Sequence, residues 1–560
     1  MSHLRAVADP RRGGELIQPG VLERRAGVDQ SVVLLVLLLA AWLVWFPPSP
    51  DLAAQVYRIH LFSTDGFSLW DNNWYGGHYL PDYSLLFPPL ATLVSLQVVG
   101  VVSVACSTLA FRRLARAHFG SRASRATALF AVSACGDLFI GRLTFALGVT
   151  FGVASVLAIA TGHRRLTVLL SLACAAASPV AALFLALAAA ADLLTHRAPR
   201  RALTLAGPAL GLTLALTLLF PEGGYEPFAF PALLAAVGAS LALILLLPAR
   251  ERLLRRGAQL YLLALLLSYV VRSPMGSNAV RFGVLFAPAV VVGCVEVKDM
   301  QRAFARLSRC WQLARRHDPA HASRIGRVSA LWLLGLLSTA LVLWQLDGPL
   351  LQSVQASNQR SAHFSFYKPV IRDLDSQSAG APMRIEVAFI SSHWDAVILG
   401  RRFFLARGWE RQLDMKNDAL FYEPRLTARA YHAWLLETGV RFVVLSDAPL
   451  DYSSLQEAAL IRGGLPFLHE VFKSAHWRVY AVRGARPLAS GPGELTAMDG
   501  DGFTLRVTRP GTFLVRVHYT PYWKITSGRG RVSEATGGWT RVTAERAGKL
   551  AIDAELSLTA

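Results

Sequence analysis

Cysteine is scarce in this chain, and residues 347–560 contain none. The five cysteines stand at positions 106, 135, 174, 294 and 310, and no two have the C-x-x-C spacing of zinc and redox motifs. A disulfide framework is therefore excluded for the C-terminal part of the chain. The sequence also shows no internal repeat and no cleavable signal pattern before its first apolar run. We expect that run to stay in the protein as a transmembrane helix.

Acidic residues are outnumbered, since 37 Asp and Glu stand against 57 Lys and Arg, for a formal net charge of +20. The arginines gather in short segments between apolar runs, which is how membrane proteins set their orientation. This distribution does not indicate nucleic-acid binding, and we predict no nucleic-acid partner. The basic segments lie at 5–25, 112–125, 163–165, 196–201, 250–256 and 298–327.

Long apolar runs dominate residues 31–346 and are missing from residues 347–560. This contrast predicts a polytopic α-helical membrane protein that lies in a lipid bilayer and carries a C-terminal soluble part. About eleven helices are predicted, and several are shorter than the roughly 20 residues that a bilayer core requires. Their approximate ranges are 31–47, 87–110, 124–140, 142–162, 166–178, 179–195, 201–220, 231–248, 257–272, 282–297 and 328–346.

With this number of helices, every basic segment falls on the same side as the N-terminus. The positive-inside rule then predicts a cytoplasmic N-terminal segment at 1–30 in a multi-pass protein of a bacterial plasma membrane. The C-terminal part is predicted to be extracytoplasmic. The same outer side receives a loop at 48–86, the turn near Asp137, the loop around Glu222–Glu226 and the loop at 272–281.

The soluble part divides into two predicted domains. Residues 347–487 alternate β-branched runs with segments of helical period, which predicts an α/β domain. Residues 488–560 change to short alternating strands with Gly-marked turns, which predicts a β-sandwich domain. Carbohydrate binding by the β-sandwich is a hypothesis.

The loop at 48–86 carries the most distinctive residues of the membrane part. Ser49, Pro50 and Asp51 suit the N-cap, the first position and the first turn of a helix. Asp51, Gln55 and Arg58 then share one face, which predicts a short amphipathic helix at the membrane surface. Turn-forming and aromatic residues dominate the following stretch, WDNNWYGGHYLPDYS. We therefore predict that this loop is the active or binding site.

The loop, the number of helices and the topology together resemble the GT-C class of membrane glycosyltransferases. The stretch WYGGHYLPDYSLLFPPL resembles the same region of the pyruvoyl-tetrahydropterin-synthase-related bacterial membrane proteins. The resemblance covers residues 31–346. It implies transfer of a sugar from a polyprenyl-phosphate donor to a cell-envelope glycan or lipid acceptor at the outer membrane face.

The resemblance also implies a role for Asp51, because the class has an acidic residue just after its first helix. Asp51 would be the general base that takes the proton of the acceptor hydroxyl. Stabilisation of the helix N-terminus is the alternative role for this carboxylate.

Arginines on the same side are candidates for binding the donor phosphate, because a guanidinium can bond two phosphate oxygens at once. Arg58, Arg142 and Arg281 are predicted to hold this phosphate. For Asp137 with Arg142, an internal ion pair is the alternative. The remaining polar candidates for substrate binding are Gln55, Asp137 and Asn278.

Aromatic residues of the loop have two interpretations. They stack on a sugar or line a lipid groove, or they form the aromatic belt at the membrane interface. The candidates for substrate contact are Trp70, Trp74, Tyr75, His78 and Tyr83.

A divalent cation, Mg²⁺ or Mn²⁺, is the one candidate cofactor. Its candidate ligands are Asp65, Asp71 and His78, since oxygen-rich sites suit these ions. Turn formation by the aspartates is the alternative.

Two other functions remain open at this point. A transporter or lipid flippase would also use broken helices and arginines at membrane depth, and it would move a substrate without forming a new covalent product. A non-catalytic scaffold for envelope assembly would tolerate the loss of Asp51 but not the loss of residues 347–560.

Overall fold

The computed structural model describes residues 29–295 and 322–556. Residues 1–28, which make up most of the predicted cytoplasmic segment at 1–30, lie outside the described residues. Cys310 and most of the basic segment at 298–327 also lie outside them.

Apolar α-helices make up nearly all of the membrane part. Pro179 occupies the first position of one of them, and the Ser178 side chain accepts a hydrogen bond from Ala181 N, which explains the break that the sequence predicts there. The helices are α1 Gln30–Trp45, α2 Pro50–Asp65, α3 Phe87–Val94, α4 Leu96–Phe119, α5 Ala123–Ile140, α6 Leu143–Ala160, α7 Arg164–Ala177, α8 Pro179–His196, α9 Pro199–Leu219, α10 Phe230–Leu246, α11 Arg252–Val270, α12 Val280–Cys294 and α13 Ala322–Ser357.

Every predicted membrane helix overlaps a helix of the structure. By length and composition, six helical segments within 29–295 and 322–556 can cross a membrane, or seven if the bent pair α1 and α2 counts as one. That test joins α4 and α5 into one segment of 45 residues and leaves out shorter helices such as α10. The predicted class, a helical membrane part followed by strand-containing domains, is confirmed.

The loops of the membrane part gather at its two ends. At one end, Arg142 after α5 meets Asp51 at the start of α2, and Glu226 after α9 bonds to Ser277 before α12. At the other end, Arg112 in α4 pairs with Asp29 before α1. The sequence predicts the same grouping, with the loops that contain Asp51, Asp137, Glu226 and Ser277 on one side and the N-terminus on the other. The side of the membrane that each end faces stays a prediction.

The α/β domain is built on a mixed sheet. In the described part after residue 322, this sheet has the order β4-β3-β5-β7-β6, in which β3 is parallel to β4 and β5 while β7 is antiparallel to both neighbours. Its strands are β3 Arg384–Val387, β4 Phe404–Leu405, β5 Val440–Ser446, β6 Leu468–Lys473 and β7 Trp477–Val482. The accompanying helices are α14 Phe364–Ser378, α15 Trp394–Ile398, α16 Arg411–Asn417, α17 Ala428–Thr438 and α18 Leu455–Arg462.

The second C-terminal domain consists of two antiparallel sheets with the orders β12-β15-β10-β9 and β13-β14-β11-β8. Apolar side chains that alternate along the strands, such as Phe513, Val515 and Val517, are fully buried between them. The strands are β8 Ala489–Ser490, β9 Gly493–Met498, β10 Gly502–Val507, β11 Gly511–His518, β12 Trp523–Ser527, β13 Gly530–Glu534, β14 Trp539–Ala544 and β15 Gly548–Ala554.

The stretch 66–86 ties both of these domains to the membrane part, and it contains the short hairpin β1 Trp70–Asp71 and β2 His78–Tyr79. Trp70 packs edge-on against Trp523, with ring centroids 5.8 Å apart, in the core of the β-sandwich. Trp74 is fully buried in the core of the α/β domain and stacks on Tyr57 at 4.1 Å. Both rings therefore belong to domain cores, which the sequence did not indicate.

Helix α2 packs tightly on the turn between α5 and α6. Gly141 forms this turn at φ +91°, and a Cβ added there would lie 2.5 Å from both Leu52 N and Ser49 Oγ. The turn therefore needs glycine for its backbone conformation and also for the close approach of α2.

We expect Gly141→Ala to displace α2 and to destabilise the protein. The positive φ costs about 1–2 kcal/mol for any other residue, and overpacking adds about 1–3 kcal/mol. Gly162→Ala is the matched control, since Gly162 has φ +84° with nothing within 4 Å of the added Cβ. The measurement is the thermal midpoint of unfolding in detergent, monitored by tryptophan fluorescence. Equal losses in the two variants would contradict the proposed packing.

Candidate functional site

Asp51 lies where the sequence places it, in the first turn of α2 after Pro50. Its Oδ2 atom accepts a hydrogen bond from Arg142 Nε at 2.9 Å. The two side chains are 32% and 26% exposed, so a ligand can reach the pair. Arg142 therefore pairs with Asp51, whereas the sequence left Asp137 open as its partner.

Gln55 holds this arrangement in place rather than facing a ligand. Its Oε1 accepts hydrogen bonds from Leu143 N at 3.1 Å and from Thr144 N at 3.2 Å, at the start of α6. Its amide nitrogen donates to Gly141 O. The side chain thus satisfies two free N–H groups of a helix N-terminus, which need such a partner when buried.

Arg281 and Asp137 complete a group of charges around the Asp51–Arg142 pair. The four side chains interact electrostatically with one another. Arg281 Nε is buried and has no hydrogen-bond partner among the described residues. The guanidinium carbon lies 5.4 Å from the centroid of the Phe145 ring. A guanidinium with a buried, unmet N–H is suited to an anionic ligand.

Glu226 belongs to the same group, although the sequence marked only its loop as acidic. It accepts a hydrogen bond from Ser277 Oγ at 3.0 Å, and its backbone N–H donates to Ser273 O at 3.0 Å. It interacts electrostatically with Arg281 and Asp51, and burial raises the pKa of its carboxyl. Asn278, a predicted contact, lies in the same turn and donates to Pro274 O instead.

The segment 407–416 of the α/β domain docks onto these loops. Trp409 Nε1 donates to Pro50 O at 2.8 Å, directly beside Asp51. Arg411 forms a two-point pair with Asp451, with N–O distances of 2.7 and 3.0 Å, and it interacts electrostatically with Glu226. The sequence showed this segment as distinctive, but its contact with Pro50 spans 359 residues and leaves no local signal.

One further side chain shapes that segment from inside the domain. Arg407 is buried between the rings of Phe389 and Phe421, at 4.1 and 4.0 Å from their centroids. Its guanidinium makes two bonds to Asp414, at 3.0 and 2.6 Å. A buried Arg–carboxylate pair with this geometry fixes the start of α16, and hence Arg411.

Arg58, two turns along α2 from Asp51, forms a buried network with Tyr75 and His78 of the following loop. Arg58 pairs with Glu410 and lies over the Tyr83 ring at 3.9 Å. Tyr75 O–H donates to Glu410 O at 3.0 Å and accepts from Glu410 N at 2.9 Å. Burial and the Arg58 charge lower the pKa of His78 to about 3, so its ring is neutral. The network joins the membrane part to the α/β domain.

Tyr83 lies between the two sets of charges, because it contacts Arg58 and interacts electrostatically with Arg281. The structure thus brings Asp51, Tyr83, Asp137, Arg142 and Arg281 together. It places the other predicted contacts in cores, in the Arg58 network, in turns or, for Gln55, at the N-terminus of α6.

Of the predicted metal ligands, Asp71 is the one that the fold engages most fully. Asp71 is buried and accepts hydrogen bonds from Tyr57 O–H at 2.8 Å and Asn73 N at 3.0 Å. Burial raises the pKa of its carboxyl to about 7. In the described parts of the chain, the ligand atoms of Asp65, Asp71 and His78 do not form a group within 4.8 Å. Binding of Mg²⁺ or Mn²⁺ stays a prediction.

Neither a protein-family model nor a curated protein matches this chain. Solved structures of ArnT from Cupriavidus metallidurans are similar to it. The apo structure is 16% identical with a TM-score of 0.41, and the structure bound to undecaprenyl phosphate is 15% identical with a TM-score of 0.42. Each match covers 81% of this chain and 98% of ArnT. These values are too low to transfer a substrate or a residue's role.

We expect the buried carboxyl of Glu222 to make stability fall as the pH rises. Burial, followed by the charge of Asp82, raises its pKa from 4.5 to about 8. Between these values the folded protein holds one proton that the unfolded chain has lost, so this group lowers the free energy of unfolding by about 1.4 kcal/mol per pH unit.

The measurement is the thermal midpoint in detergent from pH 6 to 9. Glu222→Gln is expected to flatten the decline up to about pH 8. Glu545→Gln, at an exposed position, is expected to show the same decline of the thermal midpoint as wild type. An unchanged slope in Glu222→Gln would show that this carboxyl is not protonated in the folded protein.

Proposed function

We propose that the protein is a membrane glycosyltransferase that moves a sugar from a polyprenyl-phosphate donor to a hydroxyl group of a cell-envelope glycan or lipid. The support is the meeting of a reachable carboxylate, Asp51, with two arginines at the junction of the membrane part and the α/β domain. Undecaprenyl phosphate, the ligand in one ArnT structure, belongs to the same class of lipid.

In the proposed reaction, the acceptor oxygen attacks the anomeric carbon of the donor sugar. A new C–O bond forms, and the bond between the anomeric carbon and the phosphate oxygen breaks with its electron pair on the phosphate. Asp51 takes the proton of the acceptor hydroxyl as the general base. Arg142 and Arg281 stabilise the negative charge that develops on the departing phosphate.

The unmet N–H of Arg281, next to the reachable Asp51–Arg142 pair, is the observation that carries this proposal. Burying a guanidinium without a full set of partners costs free energy, so the position favours a ligand with several anionic oxygens. A phosphate monoester or diester has this chemistry, and the planar guanidinium can bond two of its oxygens. The Nε proton of Arg142 is donated to Asp51, and the guanidinium has further N–H groups that can bond the same phosphate.

A lipid flippase is the second candidate, because the membrane part contains an apolar cavity. Its volume is about 410 Å³, within the roughly 300–1,000 Å³ of small-molecule pockets. A flippase would move labelled lipid across a vesicle membrane and form no new covalent product. The lining residues include Phe184, Asp192, Arg201, Tyr261, Phe282 and Phe286.

We expect Asp51→Asn to lose transfer activity while it stays folded, because an amide cannot accept the proton. General-base catalysis contributes about 10²–10⁴-fold. The assay follows label from a panel of radiolabelled polyprenyl-phosphate sugars into envelope acceptors, with purified protein in detergent. Asp347→Asn, an exposed aspartate on α13, is the matched control. Equal turnover in wild type and Asp51→Asn would remove Asp51 from the chemistry, and no turnover with any donor would favour the flippase or a scaffold.

A further inference from the structure

Tyr452 is an exposed aromatic ring that stands at the edge of the charged group. It is 57% exposed, and it is one of two exposed large aromatic side chains in the described residues after 357, with Phe364 at 53%. Large aromatic rings bury a large apolar area when they are covered, so an open one at a site is suited to stack on a ligand.

Contacts with Arg411 and Tyr422 of the α/β domain fix the position of the Tyr452 ring. Arg411 lies under it, with its guanidinium carbon 4.6 Å from the ring centroid, and Tyr422 meets its edge at 6.0 Å. Asp451, which pairs with Arg411, also accepts a hydrogen bond from Ser453 N at 2.9 Å and so shapes the turn that carries Tyr452. The ring is therefore held in place before any ligand arrives.

Glu226, in the loop after α9, is the carboxyl group of the membrane part that interacts with Tyr452. It interacts electrostatically with Tyr452 and with Arg411. Its loop is held against the α/β domain because Tyr225 N donates to Gln412 O at 3.1 Å. On its other side, a Cβ at Gly276 would lie 1.9 Å from Glu226 O, so the two loops are in close contact. Glu226 thus interacts with both Asp51 and Tyr452 from a loop that contacts its neighbours on two sides.

A carboxylate beside an open aromatic ring is the chemistry that recognises a sugar. The C–H face of a pyranose packs on the ring, and the carboxylate accepts hydrogen bonds from its hydroxyls. We propose that Tyr452 and Glu226 form the subsite for the acceptor sugar, next to the donor phosphate at Arg142 and Arg281. This inference rests on the proposed transferase function and assigns the acceptor side of the same site to the α/β domain.

The kinetic test compares Tyr452→Ala, Tyr452→Phe and Phe364→Ala. We expect Tyr452→Ala to raise the KM for the acceptor about tenfold, as the loss of one aromatic stack allows. Hydrolysis of the donor in the absence of acceptor should stay unchanged, since the donor side is untouched. Tyr452→Phe keeps the ring and should resemble wild type, as should Phe364→Ala. An unchanged acceptor KM in Tyr452→Ala, or an equal loss of donor hydrolysis, would overturn the proposal.

A binding test separates this inference from the proposed reaction. Oligosaccharides released from the cell envelope by mild acid are the probe, and saturation-transfer NMR reports their contact with the detergent-solubilised protein. Sugar signals that Tyr452→Ala loses and Tyr452→Phe keeps would support the subsite even if no donor gives turnover. Turnover by wild type together with sugar signals that are equal in wild type and Tyr452→Ala would leave the transferase standing and refute the subsite. Absence of sugar signals with wild type would also refute it.

Discussion

The first two turns of α2 are held on both sides, and the candidate site depends on that constraint. From the membrane side, Gln55 caps the start of α6, and Gly141 lets the two segments come into contact. From the soluble side, Trp394 Nε1 and Trp409 Nε1 donate to the carbonyls of Pro48 and Pro50, at 2.9 and 2.8 Å. An aspartate at the start of this helix has little freedom to move, which is what a positioned catalytic carboxylate requires.

The charges of the site balance one another across three parts of the chain. Asp51, Asp137, Glu226 and Asp451 are the carboxyl groups, and Arg142, Arg281 and Arg411 are the guanidinium groups. Charges that are partly removed from water are stable only when they are paired, so the carboxyl groups offset much of the cost of burying the arginines. A phosphate that binds Arg281 would meet groups that are already oriented, and little reorganisation would be needed.

The sequence predicted the parts of this arrangement that depend on local pattern. Apolar runs and the residues Ser49, Pro50 and Asp51 were sufficient for the helices and for the start of α2. The parity of the helices placed Arg142 on the same side as Asp51, but the pairing of the two side chains is seen only in the structure. The sequence could not predict which side chains of the loop face a ligand, because Trp70 and Trp74 are buried by the two C-terminal domains, which lie far away in the sequence. Arg411 and Tyr452 were missed for the same reason, since their role comes from the docking of the α/β domain onto Pro50.

A structure of the protein with a bound polyprenyl phosphate, determined by electron cryo-microscopy in lipid nanodiscs, would test the central claim most directly. The account predicts phosphate density within hydrogen-bonding distance of Arg142 and Arg281, with the Arg281 Nε proton engaged and Asp51 beside the phosphate. Phosphate density at Arg58, or at the opposite end of the membrane part near Arg112 or Arg201, would contradict it. In that case the charged group around Asp51 would have a structural role.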